Sequence, residues 1–176
     1  KPFIESGRIQ IVPFDQHFAI SEIHVDEQPM ESIHHPKINE PVTLPEPATN
    51  FRFSANVKRE KGNGSIQFRF RQNDFPHGER FVGVNIENNL CELFIQHGEI
   101  QDTLTVDKGF VFENERTYPF SITFINDSIA CQLADRTVLQ AKLPSIPSLA
   151  TTAAVDTVQN ILILKVVNNT YHEERT

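Results

Sequence analysis

Tryptophan is absent from this chain, cysteine occurs only twice, and no window carries the apolar repeat of an amphipathic helix. Without tryptophan, the core has to be built from the 14 phenylalanines together with isoleucine, leucine and valine. Without a 3.6-residue apolar period, the chain is expected to contain almost no helix. A length of 176 residues suits one domain, or one domain with an edge segment that belongs to something larger.

Basic clusters and long apolar runs are also missing. The formal net charge is −7 and no run of five basic residues occurs, so non-specific binding to nucleic acid is not expected, because it requires a basic surface. No apolar run approaches the roughly 18 residues of a membrane span. Lys1-Pro2-Phe3 is not a signal peptide, and the abrupt start suggests an excised piece of a longer polypeptide. The compartment stays open between extracellular, periplasmic and cytoplasmic.

Signatures of catalysis and metal binding are missing as well. The chain has no G-x-S-x-G, no H-E-x-x-H, no C-x-x-C and no calcium loop. His34-His35 has no further ligand at a compatible spacing, so neither a metal nor another cofactor is expected. Acidic residues at predicted turns and outward strand positions leave a self-contained hydrolase open as an alternative: Glu87, Glu92, Glu99, Asp102 and Glu113.

The two cysteines, Cys91 and Cys131, both fall on the apolar parity of predicted strands. Two interpretations stay open. They are buried free thiols that act as small apolar side chains, or they form a strand-to-strand disulfide in a secreted sandwich.

Two-residue alternation of apolar and polar side chains is what the sequence has in abundance. Residues 118–143 consist of three alternating runs joined by turns at Asn126-Asp127 and Ala134-Asp135-Arg136, which predicts an antiparallel meander. Residues 51–58 and 66–71 alternate on either side of Gly62-Asn63-Gly64, which predicts a hairpin. Residues 81–87 and 90–96 predict another pair of strands. A loop is predicted at 73–80, which connects the first hairpin to this second pair.

Strands spaced about every ten residues, with turn residues between them, predict an all-β fold, an antiparallel β-sandwich of jelly-roll type. Residues 1–144 are expected to form this sandwich, including strands in 8–14 and 17–25. The proline-rich stretch 27–50 is expected to wrap the surface, with a short strand at 42–44. Residues 145–176 are expected to supply a terminal strand, at 160–167, and a tail that belong to a flanking β-domain.

A ligand-binding face is predicted from the polar side of these strands. Gln67, Arg69 and Arg71 share one face in the predicted alternation, and Asn85 and Glu87 lie on a strand predicted to neighbour it. Such side chains offer the planar donors and acceptors that a hydroxyl-rich ligand needs. A solvated surface or a domain interface is the alternative interpretation of the same face.

Three segments resemble the non-catalytic β-sandwich at the C-terminal side of α-L-arabinofuranosidases whose catalytic part is a (β/α)8 barrel. They are residues 51–70, residues 118–139 and the ending ILILKVVNNT at 161–170, the most distinctive of the three. The resemblance implies a concanavalin-A-like jelly roll that packs on the catalytic domain of the same polypeptide. It implies an arabinose-containing polysaccharide or oligosaccharide as the partner. It carries over no catalytic residue, because the family's catalytic glutamates lie in the barrel. A structural or oligomerisation β-module remains the alternative function.

Overall fold

The computed structural model describes residues 6–75, 78–134, 136–144, 149–156 and 161–168. Every regular element within these ranges is a β-strand. The strands are β1 (Arg8–Pro13), β2 (Phe18–Val25), β3 (Gln28–Pro29), β4 (Ile33–His34), β5 (Val42–Leu44), β6 (Phe51–Arg59), β7 (Ile66–Phe75), β8 (Gly78–Ile86), β9 (Cys91–His97), β10 (Ile100–Asp107), β11 (Thr117–Ile125), β12 (Ser128–Leu133), β13 (Arg136–Lys142), β14 (Leu149–Asp156) and β15 (Ile161–Asn168). No helix in these ranges is long and apolar enough to span a membrane.

The first thirteen strands form two antiparallel sheets. The front sheet has the order β10-β9-β8-β7-β1-β5, and the back sheet has the order β13-β12-β11-β6-β2-β3, with β4 beside β2. The predicted all-β antiparallel sandwich is therefore confirmed. Within it, β11, β12 and β13 pair in succession as the predicted meander.

The core between the two sheets is built from phenylalanine. Phe68 of the front sheet stacks on Phe120 of the back sheet with 4.5 Å between ring centroids. Phe70 meets Phe53 edge to face at 5.4 Å. These four side chains are at most 1% exposed. Each such ring pair adds about 0.5–1.5 kcal/mol beyond the burial of its area, so the aromatic contacts hold the sheets in register with each other.

The predicted hairpin between 51–58 and 66–71 is wrong. Strand β6 pairs with β11 and β2 in the back sheet, whereas β7 pairs with β1 and β8 in the front sheet. The segment with Gly62 and Gly64 carries the chain from one sheet to the other, with Gly62 at φ +86° beside the carboxylate of Asp15. Alternation predicted each strand correctly, but two strands that cover opposite sides of one core show the same pattern as a hairpin.

The predicted loop at 73–80 is wrong as well. Strand β7 continues to Phe75, β8 begins at Gly78, and the two pair directly. The register shifts between Phe70 and Asn73, where Arg71 adopts φ +53°. This is a β-bulge, which inserts an extra residue and breaks the two-residue alternation that sequence patterns rely on.

Strands β14 and β15 form a separate two-stranded antiparallel hairpin, in a compact unit distinct from the one that spans Ile4–Leu143. The strand predicted at 160–167 corresponds to β15. Burial of its side chains lies outside what the structure describes, so its burial on both faces stays a prediction. Assignment of 145–176 to a flanking β-domain also stays a prediction, and the predicted tail at 169–176 lies outside the described residues.

Candidate functional site

The side of the front sheet that faces away from the core carries three rows of side chains, because neighbouring residues of a strand point to opposite faces. We call this surface the outer face. One row holds Val12, Gln67, Asn85, Glu92 and Val106. The next holds Thr43, Gln10, Arg69, Gly83, Phe94 and Thr103. Past the bulge lie Arg8 and Gln72, followed by Phe81, Gln96 and Gln101.

Arg69 lies in the middle row and is held by its neighbours. Its Nε donates to Gln67 Oε1 at 2.6 Å, and its Nη1 donates to Glu79 Oε2 at 2.9 Å. The guanidinium lies 4.6 Å from the centroid of the Phe81 ring. Burial lowers the pKa of Arg69, an effect that Glu79 opposes, and the group stays cationic at neutral pH. The outer face thus carries a fixed cation whose charge is already matched by a carboxylate.

Gly83 shapes the floor next to Arg69. The ring of Phe94 lies over Gly83, where an added Cβ would collide with the ring. Phe94 meets Phe81 edge to face at 5.9 Å, and the two rings are 1% and 3% exposed. The aromatic residues of this face are therefore packing elements and do not form an exposed platform for stacking a sugar ring.

Three carboxamide oxygens of the outer face accept no hydrogen bond from the protein: Gln10 Oε1, Gln72 Oε1 and Asn85 Oδ1. The matching amide nitrogens are all used, donating to Thr43 Oγ1 at 3.2 Å, to Glu79 Oε1 at 2.8 Å and to Glu87 Oε1 at 2.7 Å respectively. Gln10 is 8% exposed and Gln72 is 1% exposed. Most buried acceptors in proteins are paired, and leaving one unpaired costs about 1–3 kcal/mol. The outer face therefore presents several buried acceptors that lack a donor.

Four of the five predicted ligand-binding residues lie together on this face. Gln67 and Arg69 are neighbours on β7, and Gln67 stands opposite Asn85 of β8. Glu87 follows the end of β8 and accepts the hydrogen bond from Asn85. The structure thus brings these residues together; that they bind carbohydrate stays a prediction.

Arg71 does not share the outer face, and the prediction that it does is wrong. Its side chain is 0% exposed, and its guanidinium lies 4.6 Å from the ring centroid of Phe124 in the back sheet. Its Nη2 donates to the carbonyl oxygen of Thr49 at 2.6 Å and to that of Asn126 at 3.2 Å. The bulge at this position turns Arg71 inward, where it ties the front sheet to loops of the back sheet.

Sequence reasoning missed Gln10, Gln72 and Glu79. Gln10 is the polar residue in the otherwise apolar run IQIV of β1. Its alternation with Ile9 and Ile11 was the one sequence feature that could have placed it on the outer face. Gln72 follows the bulge, and Glu79 lies in the segment predicted as a loop. No pattern in the sequence indicates which of their polar atoms lack a partner.

Metal ligation finds no support on this face or elsewhere in the described part of the chain. No group of three or more histidine, cysteine, aspartate or glutamate side chains there is placed to hold an ion. His35 is one of the two adjacent histidines considered above as metal ligands. Its Nδ1 lies 3.7 Å from Glu60 Oε2, and the two side chains are 65% and 32% exposed.

Comparison with known proteins gives one partial likeness. No family model matches the chain, and no curated protein matches it. The solved structure of the carbohydrate-binding module CBM66 from Bacillus subtilis is similar at 14% sequence identity and a TM-score of 0.39, over 52% of this chain and 70% of that chain. A likeness this partial transfers no function, so the function of this chain has to be inferred from the outer face itself.

Proposed function

We propose that this chain is a non-catalytic β-sandwich module that binds neutral carbohydrate on the outer face of the front sheet. The observation that carries the proposal is the set of unpaired buried carboxamide oxygens on Gln10, Gln72 and Asn85. Each oxygen is buried and costs stability in the free protein. A ligand that displaces the side chains covering it would supply the missing donor. Sugars carry a hydroxyl donor on most of their carbons, so a saccharide can satisfy several of these oxygens at once.

Charge favours a neutral saccharide over an acidic one. The cation of Arg69 is paired with Glu79, and Glu87 and Glu92 add negative charge to the same face. A uronate or a phosphate would bring further negative charge to a surface on which the cation of Arg69 is already paired with a carboxylate. The net charge of −7 acts in the same direction at longer range.

Hydrogen bonding, rather than ring stacking, supplies the affinity in this proposal, because Phe81 and Phe94 already pack on each other, whereas the amide oxygens still lack a donor. The amide groups are already oriented by their bonds to Thr43, Glu79 and Glu87. Little side-chain entropy is therefore lost on binding, which is the usual advantage of a preorganised site.

For the source of the ligand, we propose an arabinose-containing polysaccharide and a parent protein that resembles α-L-arabinofuranosidases, a plant-polysaccharide-degrading glycoside hydrolase. The support is the resemblance of residues 51–70, 118–139 and 161–170 to the accessory sandwich of those enzymes. In this proposal the catalytic residues belong to another domain of the same polypeptide.

Affinity electrophoresis of the whole chain through gels containing arabinan, arabinoxylan or polygalacturonate tests the proposal. We expect retardation in a neutral polysaccharide gel, loss of it in Gln10→Met, and no retardation in polygalacturonate. Gln140→Met is the matched control, because Gln140 is an exposed glutamine of the back sheet. Migration unaffected by either neutral polysaccharide would favour the purely structural module, and equal retardation of Gln10→Met would exclude Gln10 from the site.

A further inference from the structure

The two cysteines of the chain come from facing sheets. Cys91 is the first residue of β9 in the front sheet, and Cys131 lies in β12 of the back sheet. Each side chain is 0% exposed. Each belongs to the set of alternate residues of its strand that point into the core of the sandwich. The chain contains no third cysteine that could compete for either thiol.

The two thiols also interact with each other, because the side chain of Cys91 is the largest cause of the raised pKa of Cys131. Strands β9 and β13 approach each other across the sandwich, and Cys131 stands directly opposite Leu139 of β13 in the back sheet. Disulfides that cross from one sheet to the other occur in other β-sandwiches, which shows that this architecture accommodates them.

We propose that Cys91 and Cys131 are joined by an inter-sheet disulfide when the chain folds in the presence of a disulfide oxidant such as oxidised glutathione. One cysteine thiolate attacks a sulfur of the oxidant, forms a mixed disulfide and releases one glutathione thiolate. The second cysteine thiolate then attacks the protein sulfur of that mixed disulfide and releases the other. The two protein sulfurs lose two electrons, the oxidant gains them, and the two thiol protons end on two glutathione molecules.

The folded protein is closed to this reaction, so the bond forms during folding. The neighbouring Cys91 side chain and burial raise the pKa of Cys131 well above its ordinary value. The thiolate is the reactive form of cysteine, and neither side chain has exposed surface through which glutathione could reach it. For the same reason the finished disulfide is protected from reductants as long as the sandwich stays folded.

Locking the two sheets together raises the melting temperature. The cross-link closes the loop between residues 91 and 131, which contains the passage from the front sheet to the back sheet. A loop of that length restricts the unfolded chain enough to raise Tm by roughly 10 °C in a protein of this size.

The test compares two routes to the oxidised protein. Reduced chain is unfolded in guanidinium and refolded in a mixture of reduced and oxidised glutathione. A second sample is folded under reductant and then placed in the same mixture. Thiols are counted with a maleimide under denaturing conditions, and the intact mass is measured. We expect no thiols and a mass lower by two hydrogens after oxidative refolding, but two thiols in the sample that was already folded.

Single substitutions and production in an oxidising bacterial periplasm complete the test. Cys91→Ala and Cys131→Ala each keep one thiol, and their Tm is expected to be independent of oxidant, whereas the oxidised wild type melts higher than the reduced one. Two free thiols, two glutathione adducts or disulfide-linked dimers after oxidative refolding would overturn the proposal. So would two free thiols in protein purified from the periplasm, which requires no refolding step.

Discussion

Gln10→Met should stabilise the free protein while it removes ligand binding. Gln10 is 8% exposed, its Nε2 donates to Thr43 Oγ1 at 3.2 Å, and its Oε1 has no partner. Methionine has a similar length and flexibility but places no strong acceptor at this position. The substitution therefore removes both the unpaired oxygen and the single hydrogen bond of the amide.

The size of the effect follows from these two changes. Removing an unpaired buried acceptor relieves about 1–3 kcal/mol, and losing an ordinary hydrogen bond costs about 0.5–1.5 kcal/mol. The Thr43 hydroxyl is on an exposed residue, so water can replace the lost donor. The net expectation is a gain of about 1 kcal/mol in the free energy of unfolding, which raises Tm by about 2–4 °C for a chain of this length.

Thermal unfolding followed by circular dichroism, in parallel with affinity electrophoresis, measures both effects in the same preparations. Gln140→Met should change the unfolding free energy by no more than about 0.5 kcal/mol, as exposed substitutions usually do. A fall of several degrees in the Tm of Gln10→Met would show that Oε1 is satisfied in the folded protein. That result would remove the reason for treating Gln10 as part of a binding site.

Three further predictions concern packing and pH. Arg71→Met should lower the free energy of unfolding by about 3 kcal/mol or more in urea titrations, because two carbonyl oxygens, those of Thr49 and Asn126, lose a charged donor inside the protein. Gly83→Ala should lower it by about 1–3 kcal/mol in the same assay, since the new Cβ displaces the Phe94 ring. Burial and the nearby Arg80 charge lower the pKa of His97, so the unfolded chain takes up a proton more readily than the folded one. Stability is therefore full above the unfolded pKa of about 6.5 and declines as pH falls below it, and His97→Gln should flatten this decline in urea titrations between pH 7.5 and 5.

Each of these expectations has a clear contrary result. Wild-type urea midpoints in Arg71→Met or Gly83→Ala would contradict the packing described around Phe124 and Phe94. An acid slope that is unchanged in His97→Gln would show that another group controls stability in that range.

Strand positions were predictable from the sequence because burial imposes a two-residue period on each strand. In 118–143 the partners are also adjacent in the chain, so the pairing followed from the turns at Asn126-Asp127 and Ala134-Asp135-Arg136. Strands β6 and β7 are adjacent in the chain too, but they cover opposite sides of the core. A connection between two strands can turn within one sheet or cross to the other sheet. Which of the two occurs depends on how all strands pack in the sandwich, and the alternation within a single strand does not indicate it.

Prediction of the candidate site succeeded and failed at identifiable residues. Gln67 and Arg69 were placed on one face because the alternation is unbroken from Ile66 to Phe70, and Asn85 because it lies between the apolar Val84 and Ile86 of β8. The alternation fails at Arg71, where the bulge reverses the direction of the side chain. The unpaired state of an amide oxygen is a property of the folded surroundings, so no sequence pattern could reveal it.

The central claim is that a neutral saccharide binds the outer face through its unpaired carboxamide oxygens. The most direct measurement is a titration of the ¹⁵N-labelled chain with arabino-oligosaccharides, followed through the side-chain amide signals of glutamine and asparagine. The claim predicts saturable shifts for Gln10, Gln72 and Asn85, with Gln132 and Gln140 of the back sheet unchanged. Shifts confined to the back sheet, or none up to the highest ligand concentration, would contradict it.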